Sequence, residues 1–355
     1  MTAPRPSGRL RAGVIGCGAI AHEHLRHLRG SSRAELVAVC DRSNATARFA
    51  QETYGAPHRH LDHRAMLEAE NLDVVHVLTP PQTHPDIVRD ALDAGAHVLC
   101  EKPLAPTCAV TEDLLAHAAA ADRRLVESQN LRWNDPVLAV DELIRAGRLG
   151  AVRDVEVSLT LDLTAGPFGD LNLSGPGVAL PGGAVHDFLP HLSYLFLLLA
   201  GSSAVDDVVG HLVNASGNAR VGFDQLDALV RAGEVRGRLR VASDVAPDTF
   251  RLRVLGTEAS VETDLYNPYL RFEGRTTGVG GPIAQLRSGT RIAGASVANL
   301  LDKVRQHSTY HGLPRMIDAL HDALRDGTEP PIAPEQIVAT ARLTDQLVAL
   351  AEVGR

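Results

Sequence analysis

"LRAGVIGCGAIAHEHLRHLRG", residues 10–30, decides the fold. A short apolar run ending at Gly16 reads as a buried β-strand. Downstream, Ile20, Leu25 and Leu28 recur at helical spacing, and the pattern stops at Gly30. Between strand and helix lies Gly16-Cys17-Gly18-Ala19-Ile20-Ala21, a G-x-G-x-x-A spacing. Alone, that spacing says little. After a strand and at the opening of a helix, it is the turn that takes the pyrophosphate of a dinucleotide. Gly16 permits the tight turn, Gly18 lets the backbone approach the phosphates, and Ala21 lets helix and strand pack closely. The helix start through Ala19 and Ile20 points its N–H groups at the anion.

Working outward, strand and helix alternate to residue 128. "AELVAVCD" (34–41) and "LDVVHVLTP" (72–80) read as strands, as do "AHVLCE" (96–101) and "RLVES" (124–128). "NATARFAQETYG" (44–55), "HPDIVRDALDAG" (84–95) and "TCAVTEDLLAHAAAADR" (107–123) read as helices. Proline inside the start and glycine past the end punctuate the middle one. Near-continuous apolar strands in β-α-β order predict a doubly wound parallel sheet covered on both faces. Asp41 closes the second strand, 25 residues after Gly16, where a carboxylate can bind the adenosine ribose hydroxyls and repel a 2′-phosphate. NAD is therefore the expected cofactor. Arg42 beside it keeps NADP open.

After about residue 130 the rhythm changes. "NDPVLAVDELIRAGRLG" (134–150) is helical, and "AVRDVEVSLTLDL" (151–163) alternates with period two. A Gly/Pro-rich loop over 164–183, either a lid or a tolerant surface loop, leads to a strongly apolar helix ending near Leu199. Five further alternating segments between 205 and 265 suggest an antiparallel sheet with one covered face. Helices resume from about residue 284. The expected architecture is α/β: a Rossmann domain over 1–130, then an α+β substrate and assembly domain over 131–355 with a large, mostly antiparallel open sheet. The C-terminal helices are placed with either domain.

Composition removes several classes of function. Of 35 basic residues only Lys102 and Lys303 are lysines, the net charge is −8, and no dense basic run exists, so a nucleic-acid partner is not expected. The four cysteines lack metal-ligand spacing and fit a reducing cytoplasm. The N-terminus has no apolar core of a signal peptide, and "LSYLFLLLA" (192–200) is too short to span a bilayer. The 16 histidines are scattered and read mostly as surface or packing residues. His186, Asp187 and His191 lack a third strong ligand, so no metal site is expected.

Three stretches together resemble the Gfo/Idh/MocA oxidoreductases: "GVIGCGAIAHEHLRHL" (13–28), "LTPPQTHPDIVRDALDAGAHVLCEKPLA" (78–105) and "PGGAVHDFLPHLSYLF" (181–196). The resemblance implies that Thr79, Pro80, His84, Glu101, Lys102 and Asn130 join Gly16, Gly18, Ala19, Ile20, Ala21, Asp41 and Arg42 at the cofactor. It implies that the proline of Glu101-Lys102-Pro103 is cis and that Lys102 lies near nicotinamide and substrate. It maps two further catalytic groups onto Asp187 and His191, and it implies a homodimer or homotetramer assembled through the second sheet. Arg132, Trp133, His186 and Tyr310 are candidates for the substrate side. Family helices often carry glycine where Leu189 stands and aspartate where Tyr194 stands, and Pro190 is expected to kink the helix.

The residues agree with that assignment chemically. Asp187 and His191, at i and i+4, would share a helix face. Oxidation of a secondary alcohol needs its proton removed as hydride leaves, which suits a histidine. A lysine ammonium stabilises the developing alkoxide. Arginine could not exchange a proton there. The expected activity is hydride transfer between NAD(P) and a hydroxyl or ketone of a sugar, cyclitol or sugar-like metabolite. A redox-neutral enzyme that uses bound NAD transiently and a non-catalytic NAD-binding regulator are the alternatives.

Overall fold

The computed structural model describes residues 8–162, 180–218, 221–277, 280–304 and 311–353. It separates into two compact units, Met1–Asn130 with Gly312–Ala341, and Leu131–His311 with Arg342–Arg355.

The first unit opens with β1 (Leu10–Ile15), α1 (Ala21–Gly30), β2 (Ala34–Cys40) and α2 (Asn44–Tyr54). β3 (His58–His60), α3 (His63–Glu70), β4 (Val74–Val77) and α4 (His84–Asp93) follow, then β5 (His97–Cys100), α5 (Cys108–Ala120) and β6 (Leu125–Glu127). Among the described residues the six strands are parallel, in the order β3-β2-β1-β4-β5-β6. The order reverses between β1 and β4, and open α/β sheets bind ligands at the carboxyl ends of strands at such a point. β3 and α3 carry no usable sequence signal: β3 is His58-Arg59-His60 and largely exposed, so no apolar period marks it. Asp62 caps α3 by accepting the Ala65 N–H at 3.0 Å.

β1 and β2 are buried on both faces. Ala12, Val14, Leu36 and Val39 pack with Ala21, Leu25 and Leu28 of α1, which explains why these strands read as apolar runs rather than alternations. α9 (Gly312–Asp326), from much later in the chain, packs on the same unit. Asp318 takes His27 at 2.8 Å and Arg33 at 3.0 Å, and Asp322 takes Arg33 at 2.7 Å.

In the second unit α6 (Asp135–Arg145), β7 (Val152–Thr160), α7 (Leu189–Ala200) and β8 (Asp207–Val213) precede the hairpin β9 (Gln225–Ala232) and β10 (Val235–Ala242). β11 (Thr249–Gly256), β12 (Ala259–Asp264), β13 (Arg271–Gly274) and α8 (Gly280–Val304) come next. α10 (Pro334–Val353) closes the chain and is shared between the units. The sheet order is β13-β12-β11-β7-β10-β9-β8, antiparallel except for the β7–β10 pair. Leu226, Val230, Leu239, Val241, Leu252 and Val254 face inward, alternating with exposed Arg231, Arg238, Arg240, Arg251 and Arg253. α7 lies on the inner face. A Cβ on Gly237 would strike the Phe196 ring, so that glycine leaves the space the aromatic fills.

Pro190 does not kink this helix. It is the second residue of α7, where a missing N–H costs nothing, and residues Gly183–Asp187 form a separate 3₁₀ turn. No described helix is long and apolar enough to cross a membrane.

Several histidines of the first unit are buried in the neutral form. Burial takes His321 to about 3, and burial with Arg123 and Arg124 takes His97 to about 4. Burial, with His24 nearby, also holds His76 well below its ordinary value. The unfolded chain, with histidine near 6.5, binds protons that the folded chain refuses. Stability is therefore full above about pH 6.5 and falls as pH drops toward the folded values. Between pH 7 and 5, His321 and His97 each remove about 2 kcal/mol, and His76 acts in the same direction. Urea denaturation at pH 7, 6 and 5 measures this; a flat midpoint across that range contradicts it.

Candidate functional site

The residues expected at the cofactor gather at the carboxyl edge of the first sheet. Gly16 follows β1 with φ +91°, and a Cβ there would sit 2.7 Å from the Leu78 carbonyl carbon and 2.8 Å from the Thr79 nitrogen. Its N–H donates to Cys40 O at 2.8 Å, which ties the ends of β1 and β2. Gly18 is different. A Cβ there meets nothing within 4 Å, so the turn presents bare, exposed backbone to whatever lies outside. Ala19 is exposed beside it, Ile20 half-buried, and Ala21 fully buried at the start of α1, which has no side-chain cap. The Ala21, His22 and Glu23 N–H groups donate back to the Gly18, Ala19 and Ile20 carbonyls, so the backbone offered to an anion is that of the turn just before the helix.

Asp41 has one task already. Its Oδ2 accepts the Cys17 N–H at 2.9 Å and its Oδ1 the Ser43 N–H at 2.8 Å. Each oxygen keeps a second acceptor position for a ribose hydroxyl. Arg42 is exposed next to it. The glycine turn and strand β2 thus share a carboxylate, and these residues fit an adenine dinucleotide.

On the other side of the switch point, Thr79 is half-buried and Pro80 exposed, and Thr83 Oγ1 donates to Thr79 Oγ1 at 2.8 Å. His84 is fully buried. Its Nε2 lies 2.8 Å from Thr79 O and its Nδ1 3.0 Å from Pro103 O. His84 sits between the two loops that flank it, and the neutral ring donates its one N–H to one of these carbonyls. Burial lowers its pKa, against the pull of the two carbonyls.

Lys102 follows Glu101 at the end of β5, half-buried, and the Lys102–Pro103 peptide is cis. The loop is held at the two peptides that flank the cis bond. Glu101 Oε2 accepts the Lys102 N–H at 3.2 Å, His84 faces the Pro103 carbonyl, and Glu127 Oε1 accepts the Leu104 N–H at 2.9 Å. The two carboxylates diverge. Burial raises both, but the facing His24 and then Lys102 bring Glu101 below its usual range. Glu127 stays raised against its bonds from Gln129 and Leu104. Asn130 Oδ1 is buried without a partner, an acceptor open to an amide donor.

The second-unit candidates form their own group. Asp187 ends the 3₁₀ turn and His191 stands in the first turn of α7, both half-buried. They flank a helix start rather than share one continuous helix face. His191 Nδ1 lies 2.6 Å from the hydroxyl of Tyr194, whose ring is buried and edge-on at 83°. That hydroxyl also accepts the Leu131 N–H at 3.3 Å. Tyr194, read from sequence as a departure, is the imidazole's partner. His186, expected at the substrate, is buried, and its Nδ1 accepts the Gly182 N–H at 3.1 Å within its own turn. Arg132 and Trp133 are half-buried, and burial lowers the Arg132 pKa. Tyr310 and residues 164–179 of the expected lid lie outside the described residues.

Sequence reasoning missed Glu127, Tyr194 and the buried histidines His24, His76 and His321. A carboxylate in the apolar "RLVES" strand was the one available hint.

Two family models match the chain: the oxidoreductase family with an NAD-binding Rossmann fold over residues 10–129, and the GFO/IDH/MocA C-terminal domain over residues 137–262. The chain belongs to the Gfo/Idh/MocA oxidoreductase family. Curated relatives include D-apiose dehydrogenase of Paraburkholderia graminis, 34% identical over 142 residues, which are 40% of this chain and 38% of the relative. Inositol 2-dehydrogenase of Rhizobium meliloti is 31% identical over 166 residues, 47% of this chain and 49% of the relative. The matched stretch thus spans less than half of each. The WlbA dehydrogenase of Bordetella pertussis, crystallised with NADH and UDP-GlcNAcA, superposes with a TM-score of 0.81 at 22% identity. That match covers 98% of this chain and 96% of WlbA, and it supports the fold.

The Gfo/Idh/MocA glycine turn makes a separable prediction. Gly18→Val should leave thermal melting near wild type, because no protein atom contests the space. It should weaken NADH binding at least about tenfold by blocking backbone approach to the pyrophosphate. Gly16→Ala should instead lower the melting temperature. Fluorescence titration with NADH, paired with melting curves, tests both.

Proposed function

We propose that this chain is an NAD(P)-dependent oxidoreductase that moves hydride between nicotinamide and a secondary alcohol or ketone of a sugar, cyclitol or sugar-like metabolite. The supporting observation is the Lys102 loop at the carboxyl end of β5: of the two peptide groups that flank the cis bond, one is held by Glu101 and the other from both sides by His84 and Glu127. That is a costly way to position an ordinary surface lysine. The names of the curated relatives, which act on apiose and inositol, point to the same substrate class. Bound NAD would supply the hydride acceptor.

In this reading His191 takes the hydroxyl proton during oxidation and returns it during reduction. Lys102 stabilises the oxyanion, and Asp187 orients the substrate. Tyr194 suits a group that works in both directions. Its hydroxyl already accepts the Leu131 N–H, and its own proton rotates. It accepts from His191 Nδ1–H both before and after the ring takes the proton, which leaves Nε2 to exchange it. NAD is preferred to NADP because of Asp41. We also propose assembly through the outward face of the second sheet, where Arg236 pairs with Asp154 at 3.3 Å and Arg253 with Glu156 at 3.8 Å.

Sugars, cyclitols and nucleotide sugars screened with NAD and NADP test the activity. A steady rise in NADH absorbance is expected. Product without net NADH would assign the transient-oxidation alternative. Lys102→Met and His191→Ala should each reduce kcat at least about a hundredfold, the lower range for losing a proton-transfer or electrostatic group, with NADH affinity retained. Tyr194→Phe, losing a hydrogen bond worth about 1 kcal/mol, should lower kcat about fivefold and move the pH–rate midpoint. Near-normal turnover in any variant removes that residue from the mechanism.

A further inference from the structure

Three imidazoles are stacked end to end inside the first unit, all with no exposed surface: His24 on α1, His76 on β4 and His321 on α9. His24 Nδ1 lies 2.9 Å from His76 Nδ1, and His76 Nε2 lies 3.3 Å from His321 Nε2. At one end, His24 Nε2 faces Glu101 Oε1 at 3.5 Å, too loose for a hydrogen bond, and among the described residues neither atom has a hydrogen-bond partner. At the other end, His321 Nδ1 is buried and has no hydrogen-bond partner among the described residues. Among the described residues no three such side chains are arranged to hold a metal ion.

Proton counting fixes the direction of this row. A neutral imidazole has one N–H and one lone pair, and each nitrogen–nitrogen contact needs one of each. With Glu101 ionised, His24 carries its proton on Nε2. His24 Nδ1 is then bare, so His76 carries its proton on Nδ1. His76 Nε2 is bare in turn, so His321 carries its proton on Nε2. What remains is a bare His321 Nδ1. The opposite polarity would bury an N–H at His321 with no acceptor and aim the His24 lone pair at a carboxylate oxygen. An orphaned donor is the costlier defect, so both ends select the first arrangement.

We propose that His321, His76 and His24 form a one-way hydrogen-bonded row whose final N–H is aimed at Glu101 across 3.5 Å, an electrostatic contact that keeps that carboxylate ionised and so fixes the Lys102 peptide. The three histidines are positioning residues that act through Glu101, since Glu101 Oε2 holds the Lys102 N–H. The relay's importance for turnover rests on the reading of Lys102 above; its existence does not. The charged and titratable groups around it are His27, Arg33 and Asp322 at the His321 end, with Asp318 bonded to His27, and Lys102, Glu127, His84 and Cys100 beside Glu101, with the Ser128 hydroxyl. A relay of this kind makes Glu101 sensitive to His321, which it does not touch.

The test uses the cofactor-free full chain, so it stands whether or not the protein turns over a sugar. Nitrogen-15 spectra of the ring nitrogens should show His24 and His321 protonated on Nε2 and His76 on Nδ1. A His321 protonated on Nδ1, or a tautomer mixture at any of the three, overturns the relay. Carbon-13 titration of the Glu101 carboxyl supplies the coupling readout. His24→Phe should raise its midpoint by about one unit, through loss of the facing donor. His321→Phe, two rings away, should raise it by a smaller amount. A wild-type midpoint in folded His321→Phe overturns the proposal, because simple packing would give that result. Should His24→Phe fail to fold, the wild-type tautomers and His321→Phe decide the matter.

Discussion

The cofactor edge of this protein depends on how one short loop is held. Between residues 101 and 104, the two peptide groups that flank the cis bond are held by Glu101 of the loop itself, His84 on α4 and Glu127 on β6. Each bond in the buried part of this set is costly to remove, since an orphaned carbonyl or N–H costs about 1–3 kcal/mol. The same side chains reach outward. His84 joins this loop to Thr79 at the end of β4, and Asp41 joins the glycine turn to the end of β2. The carboxyl edge of the sheet therefore carries two polar groups, one on each side of the switch point. It is supported by strands whose own side chains are almost wholly apolar.

The two units solve different physical problems. The parallel sheet is covered on both faces, so its polar residues have to find partners inside, and they do so as bridged pairs: His84 with two carbonyls, Glu127 with an N–H and a glutamine, His24 with His76. The antiparallel sheet has one face in water. Its polar residues need no such arrangement, and its arginines and acids meet at exposed distances that contribute little to stability. Its inner face is ordinary packing against α7, where Phe196 fills the space left by Gly237.

Much of this was legible in one dimension. The glycine turn, Asp41 and the strand ends are local: each depends on residues within a few positions, so spacing alone places Gly16, Gly18 and Ala21. The helix around Pro190 shows the limit. Proline at the second position of α7 is well tolerated, but choosing between a kink and a start requires knowing where the preceding turn ends. β3 was invisible because a three-residue exposed strand has no periodicity. His186 read as a substrate contact; what the sequence could not show is that its Nδ1 accepts the Gly182 N–H within its own turn. Tyr194 read as a departure and proved to be the partner of His191.

The sequence by itself determined the alternation of elements, the parallel and antiparallel sheets, the family and the residues at the strand ends, because these follow from local periodicity and turn chemistry. Only the tertiary structure decided which polar side chains face one another. His24, His76 and His321 are separated by 52 and 245 residues, and no pattern along the chain links them. They meet because α1, β4 and α9 pack together and leave no water between their imidazoles. In that dry interior each proton position is set by the next ring, and a row of unremarkable histidines acquires a direction.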